Sequence, residues 1–217
     1  MEIMEFEKMV KSRRSIRRWK PDPVPENLIL KALDLAIWAP NAGNHQNWRF
    51  VIINDRKQIT AMANAVQAKA DLMVSWPESA LFPGEVVRYQ ANSSFWRSAP
   101  VCIAVLTAEY QSVADQLLKI RVKKDPSVQP IIDARQMVNS GLQSVSAAVA
   151  YMLLALHAEG LGGIWLTGCI VAKSEIESLL QVPEGFNLVA MVAVGFPDEQ
   201  PKKTRKPLAE VVLYGKG

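Results

Sequence analysis

One stretch near the middle of the chain constrains the fold most strongly. Between Asp133 and Glu159 the sequence contains no proline and no strong turn cluster, and the ten residues 147–156 are all apolar. A helix that is apolar on every side needs neighbours on every side, so it must be central or lie in a subunit interface. Because a bilayer-spanning helix needs about 20 apolar residues, this run predicts a buried core helix and not a membrane helix.

Strands and other helices alternate on either side of this stretch, which predicts a mixed α/β or α+β domain without an internal repeat. The predicted strands lie at 48–55, 99–106, 163–168 (a short strand or a turn) and 187–196. The predicted helices lie at 4–12, 26–39, 56–69 and 173–180. Helix 26–39 should stop before Pro40, helix 173–180 should be capped near Ser174, and residues 208–215 should form an extended tail.

The composition is that of one soluble domain. The chain has 217 residues, of which 49% are hydrophobic, so residues 1–217 are expected to form a single domain. Its net charge of +4 permits an anionic ligand but is weak evidence for nucleic-acid binding. Cys102 and Cys169 lie far apart in apolar surroundings and are expected to be buried. The N-terminus lacks a secretory signal, so a cytoplasmic protein is expected.

The segment 74–96 is the hardest to interpret. It contains five aromatic residues and two prolines, which is rich in aromatics for an irregular stretch. It could form a lid or a wall over a substrate, and it could equally be a packed connecting segment.

A basic motif, "RRSIRRWK", occupies residues 13–20 and holds five cations. If this piece is extended, Arg13, Ser15 and Arg17 project to one side, where two guanidiniums flanking a hydroxyl would suit a phosphate. A solvated basic surface or a nucleic-acid footprint is the alternative. A second basic run, with Lys203 and Arg205 two positions apart, matters because a buried phosphate generally needs more than one charged partner.

Residues 39–50, "APNAGNHQNWRF", form a loop rich in neutral amides. Amide donors and acceptors beside small residues allow close approach to the edge of a planar heteroaromatic ring, either uracil-like or flavin-like. An asparagine-rich turn without a ligand is the plain alternative.

Familiar catalytic apparatus is missing from the sequence. There is no phosphate-binding GxxxxGK[ST] motif and no GxGxxG opening a helix, and "GLGG" at 160–163 is better explained as a helix stop. His45 and His157 are the only histidines, so a histidine-based metal cluster is not expected. A reactive cofactor is therefore the better source of any chemistry.

Four motifs together resemble the flavin-dependent nitroreductase family over nearly the whole chain. "RRSIRRW" at 13–19 resembles its Arg-x-Ser-x-Arg/Lys signature, and "APNAGNHQNW" at 39–48 is similar to its Ala-Pro-Ser-x-x-Asn-x-Gln-Pro-Trp. "GLGGIWLTG" at 160–168 and the segment 192–212, with its Gly-Phe-Pro and Lys-x-Arg-x-Pro, continue the likeness in the same order.

The resemblance implies an α+β nitroreductase-like fold with a central mixed, mainly antiparallel sheet flanked by helices, in an intertwined homodimer with an extended C-terminal tail. It implies one FMN at each interface site, with the basic motif and the C-terminal loop at the phosphate, the amide loop contributed by the partner subunit, and 165–168 along the ring edge. The implied cofactor-binding residues are Arg13, Arg14, Ser15, Arg17, Pro40, Asn41, Ala42, Gly43, Asn44, Gln46, Asn92, Trp165, Leu166, Thr167, Gly168, Lys203 and Arg205.

The activity implied is that of an FMN-dependent NAD(P)H oxidoreductase. NAD(P)H would pass a hydride to flavin N5 and leave, after which a nitroaromatic, quinone or similar acceptor would take two electrons. Asn47 replaces the usual proline of the family, Thr167 a glutamate that some members carry, and Tyr151 a frequent asparagine, so the acceptor is left open. A flavin-consuming or dehalogenating enzyme of the same fold, and a basic nucleic-acid-binding module, are the alternatives.

Overall fold

A computed structural model of the chain describes residues 2–215. The helices are α1 (Ile3–Ser12), α2 (Glu26–Ala36), α3 (Arg56–Val74), α4 (Pro83–Asn92), α5 (Val113–Arg121), α6 (Gln129–Val138), α7 (Ser140–Ala158) and α8 (Lys173–Leu180). The strands are β1 (Trp48–Ile53), β2 (Val101–Ala108), β3 (Gly162–Leu166) and β4 (Phe186–Gly195). Single 3-10 turns connect several of these elements.

The four strands form one antiparallel sheet in the order β1-β2-β4-β3. The first six residues of β2 are buried on both faces, as the apolar run predicts. Cys102, Ala104 and Leu106 pack into a core on the side of α3, whereas Ile103 and Val105 pack on the side of α7. The α+β fold with helices on both faces is therefore confirmed, and among the strands of residues 2–215 every pairing is antiparallel.

Helix α7 is the central helix that the apolar run predicts. Met152 and Leu156 are fully buried in the core between the sheet and α2. By length and composition alone, residues 126–158 would be long and apolar enough to cross a membrane, but this stretch is not one continuous helix. One stripe of α7 stays open, with Leu142 and Tyr151 42% and 44% exposed.

The expected single helix over 133–159 is wrong at one position. Asn139 has a φ of 43° and separates α6 from α7. Its side-chain oxygen accepts the N–H of Leu142 at 2.9 Å, which caps the start of α7. Asparagine tolerates the left-handed conformation and is a strong N-cap, so one residue both ends a helix and begins the next.

Other boundaries also differ from the expectations. Helix α2 ends at Ala36, three residues before Ala39, and α8 begins without a side-chain cap near Ser174. Segment 74–96 is mostly helical, since it contains α4 and two 3-10 turns. Helix α5 was not anticipated, although Val113, Leu117 and Ile120 recur at helical spacing along it. These side chains are exposed, and neither α4 nor α5 has a buried residue.

Candidate functional site

The basic motif runs as an extended segment along the free edge of β3. The Ile16 N–H donates to the carbonyl of Gly163 at 3.3 Å, and the Trp19 indole donates to the carbonyl of Gly162 at 2.8 Å. Ile16 and Trp19 are buried, while Arg17 is exposed and Ser15 is half-buried. The alternation predicted from the sequence therefore holds from Ser15 to Arg17 and fails at Arg18, which is exposed beside the buried Trp19.

Gly162 allows the motif to lie this close to β3. A Cβ placed on Gly162 would come within 2.6 Å of Ile16 Cγ1. The sequence interpretation of "GLGG" as a helix stop holds for Gly160, which has a φ of 77°. It misses Gly162, which is needed for close approach between two segments.

The positive charge of Arg205 acts on Arg13 although 192 positions separate the two residues in the sequence. Arg13 is half-buried, and its pKa is lowered by burial first and then by the positive charges of Arg205 and Arg14. Within residues 2–215, no salt bridge involves Arg13, Arg17 or Arg205. The one carboxylate on the motif in the described residues is that of Glu199, which accepts the backbone N–H groups of Arg17 and Arg18 and pairs with the Arg18 side chain at 3.4 Å. The guanidiniums of Arg13, Arg17 and Arg205 have no such partner there, and an anionic group would stabilise them.

Arg14 faces a different environment from its neighbours. Its Nη1 donates to the carbonyls of Lys11 and Arg13 at 2.5 and 2.8 Å, so the guanidinium lies at the C-terminal end of α1. It also lines a cavity of about 480 Å³ in which the Ser12 hydroxyl lies 2.8 Å from Nε2 of His157. Burial, followed by the charges of Arg13 and Arg14, lowers the pKa of His157 and favours a neutral ring.

The amide loop contains a 3-10 turn at Ala42–Asn44 and three left-handed residues. The side-chain oxygen of Asn41 accepts the N–H of Gln46 at 3.0 Å, and Ser144 on α7 accepts the N–H of Ala42 at 3.0 Å. Pro40, Gly43, Asn44 and Gln46 are exposed, whereas Asn41 and Ala42 are half-buried. The loop is thus bound to α7 through Ala42, and its residues 43–46 are exposed.

The predicted ring-edge residues follow the end of β3. Leu166 is 9% exposed, whereas Thr167 and Gly168 are open to solvent. The indole Nε1 of Trp165 is buried and has no hydrogen-bond partner among the residues that the structure describes. An unpaired buried donor is costly, so this atom is a candidate for contact with a ligand or a second subunit.

Two predicted residues lie apart from these contacts. Asn92 is exposed at the end of α4, and its side chain donates to the carbonyl of Arg88 at 2.7 Å. Lys203 is exposed in the C-terminal loop that carries Arg205. No described contact joins either of them to the basic motif or to the amide loop.

A larger cleft of about 720 Å³ lies beyond the amide loop, between β2, α5, α6 and the start of α7. Tyr110 lines it and also packs edge-on against His45 of the loop, with ring centroids 5.4 Å apart. Across the cleft wall, both oxygens of Asp115 accept from Arg135, which lowers the pKa of Asp115. In residues 2–215 no group of three His, Cys, Asp or Glu side chains could hold a metal ion.

Sequence reasoning missed Tyr110, Ser144 and the buried role of Asn47. Tyr110 and Ser144 lie outside every quoted motif, so no local signal marks them. Asn47 was noticed only as a departure from a family pattern.

A family model described as the Nitroreductase family matches residues 10–196. The chain belongs to the nitroreductase family. This confirms the resemblance carried by the four motifs.

The nitroreductase relatives carry several names. An NADH dehydrogenase of Thermus thermophilus is 27% identical, over 98% of this chain and 97% of its own. An iodotyrosine deiodinase of Thermotoga neapolitana is 25% identical over 94% of each chain. A 5,6-dimethylbenzimidazole synthase of Rhodobacter capsulatus is 26% identical, over 86% of this chain and 80% of its own. One nitroreductase fold thus carries different named activities.

Solved nitroreductase-family structures support the same fold. A BluB-like flavoprotein of Clostridium difficile 630 superposes with a TM-score of 0.85 at 27% identity and covers 100% of both chains. A nitroreductase of Desulfovibrio desulfuricans in complex with FMN gives a TM-score of 0.66 at 25% identity, over 97% of this chain and 96% of its own. FMN is therefore a ligand that this fold accommodates.

Proposed function

We propose that this nitroreductase-family chain is an FMN-dependent oxidoreductase. It would take a hydride from NADH or NADPH and deliver two electrons to an oxidised acceptor such as a nitroaromatic or a quinone. The observation that carries the proposal is that the charge of Arg205 reaches Arg13 from the opposite end of the chain, while neither arginine forms a salt bridge within residues 2–215. The family match and a neighbour with bound FMN support the choice of ligand.

The residues present fit FMN. Arg13, Ser15, Arg17 and Arg205 would hold the phosphate, because guanidinium forks and a hydroxyl match its oxygens, with Lys203 adding charge nearby. Arg14 would act at one remove, since its Nη1 already binds backbone carbonyls at the end of α1.

The ring would lie against 165–168, where the unpaired indole N–H of Trp165 is a further donor. Asn92 is proposed as a ring contact by motif position alone. FMN would supply the two-electron chemistry, and the protein would bind it, orient it and exclude water.

We further propose that residues 1–217 act as one domain within a homodimer. Trp38, just after α2, is 78% exposed, and the tail residues Leu213 and Tyr214 are 93% and 89% exposed. Leu35 and Ile37 beside Trp38 are 47% and 43% exposed, so several apolar side chains are open close together. Clustered exposed apolar side chains are typical of an interaction surface. In such a dimer the partner subunit would supply Pro40, Asn41, Ala42, Gly43, Asn44 and Gln46 to the ring.

A second candidate is a flavin-consuming or dehalogenating reaction at the same site. This candidate is supported by the chain's similarity to a 5,6-dimethylbenzimidazole synthase, an iodotyrosine deiodinase and a BluB-like flavoprotein. Such chemistry would use a lid, and segment 74–96 offers exposed apolar side chains for one, including Phe82 and Val87 at 56% and 64% exposure.

The decisive experiment is optical. The purified dimer should be yellow, or become so with FMN, and its flavin absorption should bleach anaerobically when NADH or NADPH is added. Chromatography of the flavin after reduction and re-exposure to oxygen separates a flavin-consuming reaction, because there FMN itself would disappear. A dehalogenating reaction would leave FMN intact and would release halide from a halogenated substrate. A colourless protein that FMN cannot reconstitute would exclude both candidates and favour the nucleic-acid-binding alternative.

The phosphate assignment has its own test. Arg13→Ala combined with Arg205→Ala should weaken FMN binding by about 10²- to 10⁴-fold, since charge-assisted hydrogen bonds contribute roughly 1.5–3 kcal/mol each and two such partners are lost. Lys8→Ala combined with Lys20→Ala removes the same net charge from exposed positions and should leave binding nearly unchanged. Equal effects of the two double variants would show that only overall charge matters.

A further inference from the structure

Asn47 is a buried polar residue that ties three parts of the fold together. Its side chain is 4% exposed, and Nδ2 donates to Oγ1 of Thr107 at 2.7 Å and to the carbonyl of Ala108 at 3.1 Å. A third, longer bond reaches the carbonyl of Gly141 at 3.5 Å. Because the Asn47 carbonyl also accepts the Ala108 N–H at 2.8 Å, the residue is fastened through both backbone and side chain.

The loop that Asn47 terminates has a conformation that needs such support. Gly43, Asn44 and Gln46 have φ values of 60°, 52° and 49°. Residues other than glycine reach the left-handed region at a cost, so surrounding contacts must hold them there. Ser144 holds the front of the loop through Ala42, and Asn47 holds its end.

The same contacts join the loop to the large cleft. Thr107, Ala108 and Gly141, the three acceptors of Asn47, all line the 720 Å³ cleft. A Cβ on Gly141 would lie 3.2 Å from Nδ2 of Asn47 and 3.3 Å from Cβ of Tyr110, so the packing leaves little slack. The loop and the cleft therefore share one tightly packed wall.

We propose that Asn47 is a positioning residue that sets the conformation of the amide loop and couples it to the wall of the cleft. The link to flavin rests on the proposed function, in which this loop would present its neutral amides to the flavin ring. Asn47 would then tune the ring's surroundings without touching it. Where the family usually has proline, which restricts the chain through its fixed φ, this chain uses a buried amide with three acceptors.

The first experiment uses the flavin-free protein and compares Asn47→Ala with Asn54→Ala. Asn47 directly precedes β1, and Asn54 directly follows it. Asn54 is exposed and makes no side-chain hydrogen bond within the residues described. Amide hydrogen exchange in residues 41–46 should become about tenfold faster in Asn47→Ala, because the net contribution of two to three hydrogen bonds is lost. Unchanged exchange in the loop would overturn the proposal.

The second experiment adds FMN. At saturation, Asn47→Ala should show an altered visible circular dichroism spectrum of the flavin, and FMN affinity should fall by about tenfold, or 1.4 kcal/mol. Asn54→Ala should match the wild type in both. Faster loop exchange with an unchanged flavin spectrum and affinity would overturn the link between Asn47 and the ring.

A third comparison separates failure of this proposal from failure of the proposed function. Wild-type protein that binds no FMN would exclude the proposed function, while the flavin-free exchange measurement would still decide whether Asn47 holds the loop. If Asn47→Ala does not fold, Thr107→Val removes the nearest acceptor while keeping the side-chain shape. It should then accelerate exchange in the same residues, and its failure to do so would count against the proposal.

Discussion

Gly162→Ala tests how the basic motif is seated on the sheet. The added Cβ would lie 2.6 Å from Cγ1, 2.9 Å from Cβ and 3.1 Å from Cγ2 of Ile16. Because carbon atoms in contact lie about 3.5–4.0 Å apart, Ile16 would have to withdraw by roughly 1 Å. Rotation of the side chain does not relieve the clash, since its Cβ is among the atoms hit and a β-branched side chain has few alternatives at χ1.

The withdrawal has a predictable cost. Overpacking of a buried site costs about 1–3 kcal/mol. For a domain of this size each 1 kcal/mol lowers Tm by about 2–4 °C, so Tm should fall by about 2–12 °C. Ser15 and Arg17 would move with Ile16, and we expect FMN affinity to fall by at least about tenfold because misplacement by roughly 1 Å is costly in a preorganised site.

Thermal unfolding by circular dichroism and titration of FMN by fluorescence quenching measure both effects. Gly84→Ala is the matched control: Gly84 lies in the first turn of α4, and no heavy atom lies within 4 Å of the added Cβ. Alanine favours helix there, so this control should be neutral or slightly stabilising. Gly162→Ala protein with an unchanged Tm and unchanged FMN affinity would refute the close seating of the motif.

Two further predictions concern the cleft and the thiols. Hydrogen bonds from Arg135 and then from Ser112 lower the pKa of Asp115, so this carboxylate stabilises the fold above its ordinary pKa of about 3.9, and the stabilisation is lost as pH falls through the lower folded value. Arg135→Met should therefore lower Tm at neutral pH, and its Tm should approach that of the wild type in acid. A Tm difference that stays constant across the pH range would contradict the Arg135–Asp115 pairing. Burial raises the pKa of Cys169 to about 12 and also raises that of Cys102. Reagents that modify cysteine thiolates at about pH 8 should therefore label neither residue until the protein unfolds. Rapid labelling of the native protein would show that these sites open.

The sequence was most informative where burial is complete. Strand β2 is recognisable because a strand buried on both faces must be apolar on both faces. Helix α7 is recognisable by its continuous apolar run, although Leu142 and Tyr151 are exposed in the single chain. Neither α4 nor α5 buries a residue, and the apolar positions Val113, Leu117 and Ile120 of α5 are exposed, so core burial does not distinguish these helices. The break at Asn139 was overlooked because one residue serves as the end of α6 and the cap of α7.

The candidate site divides in the same way. Arg13, Ser15 and Arg17 and the amide loop stand in short motifs, so their residue types alone indicate chemistry. In the sequence, Asn47 stands out only because it replaces the proline that is usual in the family. Its contacts are not visible there, because its three acceptors come from β2 and α7. Its contribution depends on neighbours that are 60 to 94 positions away.

By itself, the sequence determined the family, the α+β class, the central helix and the residue types that suit a phosphate and a planar ring. The central helix and the residue types follow from local composition and spacing, whereas the family and the α+β class follow from the resemblance carried by the four motifs. Only the tertiary structure decided that the charge of Arg205 acts on Arg13, that Gly162 must lack a side chain beneath Ile16, and that the Asn47 side chain binds Thr107. These depend on contacts between distant segments, and the free energy of such contacts is set by the packing of the folded chain.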